Sequence, residues 1–141
     1  MREIEIAIGL LEQGDRYVLQ RRAESLRLGA SGLIGCFGGQ IKEREEPEDT
    51  VVRELGEETN LQTRRRDWES LGELDVVSDR DNKPVEIHAY AFRCTLSKDL
   101  KLKAFDGEAV SLPQDAIGDY ESQLTPATHK LFEEKLGVIW H

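Results

Sequence analysis

Ile4, Ile6 and Ile8 alternate with Glu3, Glu5 and Ala7, the two-residue period of a half-buried strand. Gln13-Gly14-Asp15 supplies turn chemistry, and Tyr17-Val18-Leu19-Gln20 predicts a returning strand. Residues 23–32 show no period and predict a loop. Residues 33–37 are a short apolar run, which Gly38-Gly39 is expected to interrupt. Pro47 fits the first turn of a helix, with Glu48 and Asp49 complementing its positive end. That helix is expected to run to about Thr59, with Asn60 closing it in the left-handed conformation. Residues 71–77 and 85–94 predict strands around a turn at 79–84. Residues 100–104 alternate weakly, and 109–112 predict one more short strand. Thr125-Pro126 caps and opens a last helix, with Leu131, Phe132 and Leu136 as its buried stripe and Gly137 as its stop. Strands, a helix, strands and a helix predict an α+β fold: an α/β/α sandwich with a mixed central sheet.

The 141 residues suit one domain over positions 1–141, with no repeat or linker to divide them. Hydrophobic content of 38% beside 33% charged residues describes a folded soluble chain. No apolar run approaches membrane-spanning length, so no membrane partner is expected. The first residues carry acids and read as a strand rather than a signal peptide. Cys36 and Cys94 lack metal-ligand spacing and read as small buried hydrophobes in a reducing compartment, which points to the cytoplasm. A net charge of -9 speaks against general nucleic-acid binding. Anionic phosphates remain accessible to such a chain if a divalent cation stands between.

Charge is most concentrated between Gly38 and Leu61. Glu43, Glu45, Glu46, Glu48, Asp49, Glu54, Glu57 and Glu58 face only Lys42, Arg44 and Arg53. On a helix turning about 100° per residue, Glu57 and Glu58 fall within roughly 60° of Glu54 on either side. Three carboxylates thus share one arc, while Val51, Val52, Leu55 and Thr59 occupy a neighbouring arc that faces the core. Glu54 and Glu58 form an i,i+4 like-charge pair, which weakens a helix by a few tenths of a kcal/mol. A hard divalent cation such as Mg²⁺ takes carboxylate oxygens and would remove that repulsion. The plainer alternative is a solvated acidic face.

The flanking residues favour the cation. Gly39, Glu45, Arg53-Glu54-Leu55, Glu57-Glu58, Asn60 and Leu61 resemble the Nudix box, G-x5-E-x7-R-E-U-x-E-E-x-G-U with U a bulky aliphatic. Only the last glycine differs, being Asn60. Leu19-Gln20-Arg21-Arg22 resembles the family's strand before the box. Cys36-Phe37-Gly38-Gly39 resembles its P-G-G lead-in, and Leu124-Thr125-Pro126 the start of its C-terminal helix. The resemblance implies a Nudix fold and hydrolysis of a nucleoside diphosphate linked to another group: a nucleoside triphosphate, nucleotide sugar or dinucleotide. It implies Glu54, Glu57 and Glu58 as ligands of Mg²⁺ or Mn²⁺, helped by the Gly38 carbonyl. Arg53 would orient the carboxylates with Glu45 as its charged partner, and Gly39 would let the backbone turn beside the phosphates. Glu54 is the first choice of base; Asp106 and Glu108, on a later loop, are the alternatives. A silent nucleotide-sensing or partner-binding Nudix domain is the rival reading, and a homodimer is one assembly the family uses.

Outside the box, Arg21 and Arg22 are candidate phosphate contacts, since guanidinium groups suit bidentate binding; solvation explains either equally well. His88, Tyr90 and Phe92 share a strand face and are expected to pack in the core. His129 is expected to be exposed, and Trp68 and Trp140 to pack. The run Pro126-Ala127-Thr128 lacks the asparagine found here in relatives that act on oxidised guanine nucleotides. A threonine hydroxyl cannot offer both an amide donor and a carbonyl acceptor, so strict specificity of that kind is not expected.

Overall fold

A computed structural model describes residues 2–22, 32–80 and 83–140. Among the described residues, seven strands and two α-helices follow in the order β1 (Arg2–Gln13), β2 (Arg16–Arg21), β3 (Ile34–Gly35), β4 (Phe37–Gln40), α1 (Pro47–Glu58), β5 (Glu69–Arg80), β6 (Lys83–Thr95), β7 (Glu108–Pro113) and α2 (Pro126–Lys135). The strands form one mixed sheet. β1 runs parallel to β6 from Arg2 to Glu12 and antiparallel to β2 and β4, while β5 pairs antiparallel with β6 and β7 with β2.

Alternation along the strands assigns the sheet's two faces. Ile4, Ile8 and Leu10 of β1 pack with Val85, Ile87, Ala89 and Ala91 of β6 and with Leu131 and Phe132 of α2. Ala7 and Leu11 pack on the other side with Phe92, Cys94, Trp68 and the Val51 and Leu55 of α1. One helix therefore covers each face, and the expected α/β/α sandwich is the architecture found. β1, buried on both faces along Ala7–Leu11, is its centre. Both cysteines are free and buried, as expected of small hydrophobes. Among the described residues no helix is long and apolar enough to cross a membrane.

Four local expectations are corrected. Gly38 and Gly39 do not interrupt the chain; they are the middle of β4, paired with Ile8 and Ala7. Asn60 does not close α1 in the left-handed region, which among the described non-glycine residues only Arg44 occupies, at φ 67°. Thr59 ends the helix instead, in extended backbone with its hydroxyl donating to the Leu55 carbonyl at 2.6 Å. His129 is half-buried, bonded to Glu121 at 2.9 Å and stacked on Trp140. Of His88, Tyr90 and Phe92, only Phe92 is buried; His88 sits between Asp75 (2.7 Å) and Glu73 (2.6 Å), with Tyr90 edge-on to its ring. The expected loop over 23–32 lies outside the described residues except for Gly32, as does the centre of the turn at 79–84.

Candidate active site

α1 starts as its sequence dictates. Pro47 takes the first helical position, where a missing N–H costs nothing, and Asp49 accepts from the Glu46 backbone N–H at 3.3 Å. Val51 and Leu55, fully buried, fix the helix rotation against the sheet, and that rotation decides where the acids point.

Arg53 organises them. Its Nε and Nη2 donate to the two Glu45 oxygens at 2.8 and 2.9 Å, a bidentate pair. Its Nη1 donates to Glu54 at 2.9 Å and to Glu57 at 3.3 Å, and its Nη2 also reaches the Gln40 carbonyl. Glu45 is braced further by the Thr50 hydroxyl at 2.7 Å and the Lys42 N–H at 3.1 Å. Arg53 beside it holds the Glu45 carboxyl down at about 2. One guanidinium thus touches three carboxylates drawn from the loop and the helix.

Glu54 and Glu58 rest against the glycines of β4. The Gly38 N–H donates to Glu58 Oε1 at 3.0 Å. A Cβ on Gly39 would lie 2.4–2.9 Å from the Glu54 carboxylate, so glycine at this position is what leaves that carboxylate its place. Gly38 has φ +149°, and a Cβ there would meet the Ala7 carbonyl oxygen at 2.2 Å. Burial pushes the Glu58 carboxyl up to about 7, and the neighbouring Glu54 charge adds to that; the Gly38 N–H, Arg22 and Gln20 oppose it. Glu57 is the outermost of the three, with a side chain 56% exposed.

The remaining candidates divide. Arg22 lies near enough to favour the Glu58 charge. Arg21 is drawn aside to Glu108 at 3.2 Å and to the Gly32 carbonyl. Glu108 opens β7, and Asp106, exposed, lies on the bend before it. The Gln20 amide, 5% exposed, donates to the Asp106 carbonyl at 3.1 Å and helps to hold Glu58. Gln20 is the residue the sequence reading missed: a polar side chain at a buried strand position is a signal, but its partner lies 86 positions away.

Among the described residues no three His, Cys, Asp or Glu side chains already stand gathered as a metal cage. The donor set nonetheless fits a hard divalent cation. Glu54 and Glu58 are close enough to disfavour ionisation together, and a cation is what relieves such a pair. The arrangement offers carboxylate oxygens along one helical arc, an Arg53 brace behind them and a glycine strand beside them.

The NUDIX domain family model matches residues 1–134. No curated protein matches the chain by sequence. Among solved structures, the MutT protein of Methanosarcina mazei Go1 superposes with TM-score 0.74 at 22% identity, covering 96% of this chain and 94% of that one. The NUDIX domain of Shewanella oneidensis NrtR, complexed with ADP ribose, gives 0.72 at 19%, over 94% and 86%. A bifunctional NMN adenylyltransferase/ADP ribose pyrophosphatase of Francisella tularensis, complexed with AMP and a Mn ion, gives 0.66 at 14%, over 96% of this chain and 41% of that one.

Proposed function

The chain belongs to the NUDIX domain family, and from that premise we propose that it is a divalent-cation-dependent pyrophosphohydrolase acting on a nucleoside diphosphate linked to another group. One observation carries the reading: Glu54 and Glu58 rest against Gly39 and Gly38, and the Arg53 that holds Glu54 also holds Glu45 and Glu57. Helix stability alone gives no reason to bring like charges together in this way.

Glu54, Glu57 and Glu58, with the Gly38 carbonyl, would hold Mg²⁺ or Mn²⁺. When bound, the cation supplies charge neutralisation at the phosphate oxygens and Lewis acidity. The chain's own groups do the rest. Arg53 fixes the Glu54 and Glu57 carboxylates, and Glu45 fixes Arg53, so the acids need little reorganisation as charge develops on the substrate. Glu54 is the preferred proton acceptor from the attacking water. Of the alternatives, Glu108 is engaged by Arg21, whereas Asp106 projects from a bend. Arg22, exposed beside Glu58, is the better placed of the two arginines for a phosphate.

Thr128 of α2 is not available to read the nucleobase. The Thr128 hydroxyl accepts from the Cys36 N–H at 3.0 Å and from the Thr125 hydroxyl at 2.9 Å, and the residue is 1% exposed. That supports a substrate other than one selected by its oxidised guanine edge. The ADP ribose and AMP held by two structural neighbours support a small nucleotide.

The test is a panel of nucleoside triphosphates, nucleotide sugars and dinucleotides incubated with Mg²⁺ and assayed for phosphate, pyrophosphate or mononucleotide release. Cleavage of at least one at its pyrophosphate bridge is expected. Tight binding of a nucleotide with no cleavage of any would favour the silent sensor instead.

A further inference from the structure

Asn60, the one departure from the family's box, does not serve the backbone; its carboxamide serves another segment. Asn60 Nδ2 donates to the Lys101 carbonyl at 3.1 Å, and Asn60 Oδ1 accepts from the Lys103 N–H at 2.9 Å. Its own N–H donates to the Lys103 carbonyl at 3.1 Å. One residue earlier, Thr59 bridges Ala104, and the Phe105 N–H donates to the Glu58 carbonyl at 2.7 Å. These are orphan groups at a helix end, satisfied here by an incoming strand-like segment.

That segment has little else to hold it. Residues 101–103 belong to no helix or strand, and Leu102 and Ala104 are only half-buried against the α1-side core. It leads directly to the bend of Phe105 and Asp106, whose carbonyl is held by Gln20 beside Glu58. Phe105, 60% exposed, is a large apolar side chain presented to solvent within one residue of these contacts. Asn60 and Gln20 therefore pin the two ends of one short wall to the elements that carry the candidate site. A glycine at position 60 could supply neither the donor nor the acceptor.

We propose that Asn60 is a positioning residue, whose carboxamide fixes residues 101–106 as a substrate-contacting wall beside Glu58. The proposal rests on the hydrolase reading above only for its kinetic consequence. The Arg53 and Gly38 contacts that order the carboxylates do not involve Asn60, so, with Glu54 as the base, its loss falls on KM and spares kcat.

The experiment compares wild type with Asn60→Ala and Asn60→Asp by residue-resolved amide exchange and by steady-state kinetics on the best substrate of the panel. In Asn60→Ala, exchange at the Lys103 amide accelerates about tenfold or more as its side-chain acceptor is lost. The Phe105 amide, bonded to the Glu58 carbonyl, accelerates with it as the segment loosens, while the interior amides of α1 are unchanged. KM rises about fivefold or more, and kcat stays within about twofold, on the same hydrogen-bond scale. Asn60→Asp keeps the acceptor for Lys103 and recovers part of both effects. Unchanged exchange at Lys103 and Phe105 overturns the proposal. So does faster exchange with unchanged KM, or a fall in kcat alone. A wild-type protein that cleaves nothing strikes the hydrolase reading instead, because the exchange measurement needs no substrate.

Discussion

The Arg53 guanidinium meets the Glu45 carboxylate edge to edge, two parallel bonds of 2.8 and 2.9 Å between side chains 21% and 15% exposed. Charge-assisted bonds this sheltered contribute roughly 1.5–3 kcal/mol, and a lysine can supply neither the fork nor the further reach to Glu54 and Glu57. Arg53→Lys is expected to lose about 2 kcal/mol of stability in denaturant melts and to reduce turnover by more than about tenfold.

Glu45 also sets an acid limit. Its carboxyl is held near 2, below the ordinary value of 4.5, so the native state binds fewer protons than the unfolded chain between those values. Its contribution is present above about pH 4.5 and is lost as pH falls toward 2. Wild type should therefore exceed Glu45→Gln in stability by about 1–2 kcal/mol at pH 7, with the difference shrinking below pH 4.5.

Glu58 has the opposite sign. Raised from 4.5 to about 7, it binds a proton in the native state that the unfolded chain has released. The cation-free protein should then lose stability as pH rises from about 4.5 to 7, on the order of 1–2 kcal/mol, and Glu58→Gln should flatten that part of the curve. Thermal melts in chelator across this range read the difference.

Two neighbouring glycines should fail differently. A Cβ at Gly38 meets the Ala7 carbonyl oxygen and Ile8 Cα, backbone that cannot yield, so Gly38→Ala is expected to cost ~3 kcal/mol or more. The nearest atoms to a Cβ at Gly39 all belong to the Glu54 carboxylate, which can swing away. Gly39→Ala should stay folded by circular dichroism while its turnover falls by more than about tenfold through the displaced Glu54.

Arg44 sits at φ 67° in the loop before α1, a conformation that disfavours a side chain. Arg44→Gly is expected to be about 0.5–1 kcal/mol more stable in denaturant unfolding, backbone strain outweighing glycine's entropy.

What was readable from the chain follows from the range of the forces involved. α1, its first turn and its acidic arc are local, so Pro47 and the spacing from Gly39 to Leu61 define them. β1 announces itself by alternation, and β2, β5 and β6 by apolar, β-prone runs beside turn residues. Gly38-Gly39 read as a break because nothing local reveals that Ala7 and Ile8 would pair with them. The 3-10 run Gln114–Gln123 has no apolar period to betray it. The reach of Asn60 to Lys101 and Lys103, over more than 40 positions, is invisible to any window. Gln20 was undervalued for the same reason: its partner Asp106 is distant in sequence and adjacent only in the fold.

The most direct measurement is a calorimetric titration of Mn²⁺ into wild type, Glu57→Gln and Glu58→Gln, in two buffers of different ionisation enthalpy near pH 6.5. Wild type is expected to bind the ion and release protons as Glu58 ionises, and each variant to bind at least about tenfold more weakly. Superimposable isotherms for the three proteins, or no binding to wild type even with nucleotide present, would contradict the account.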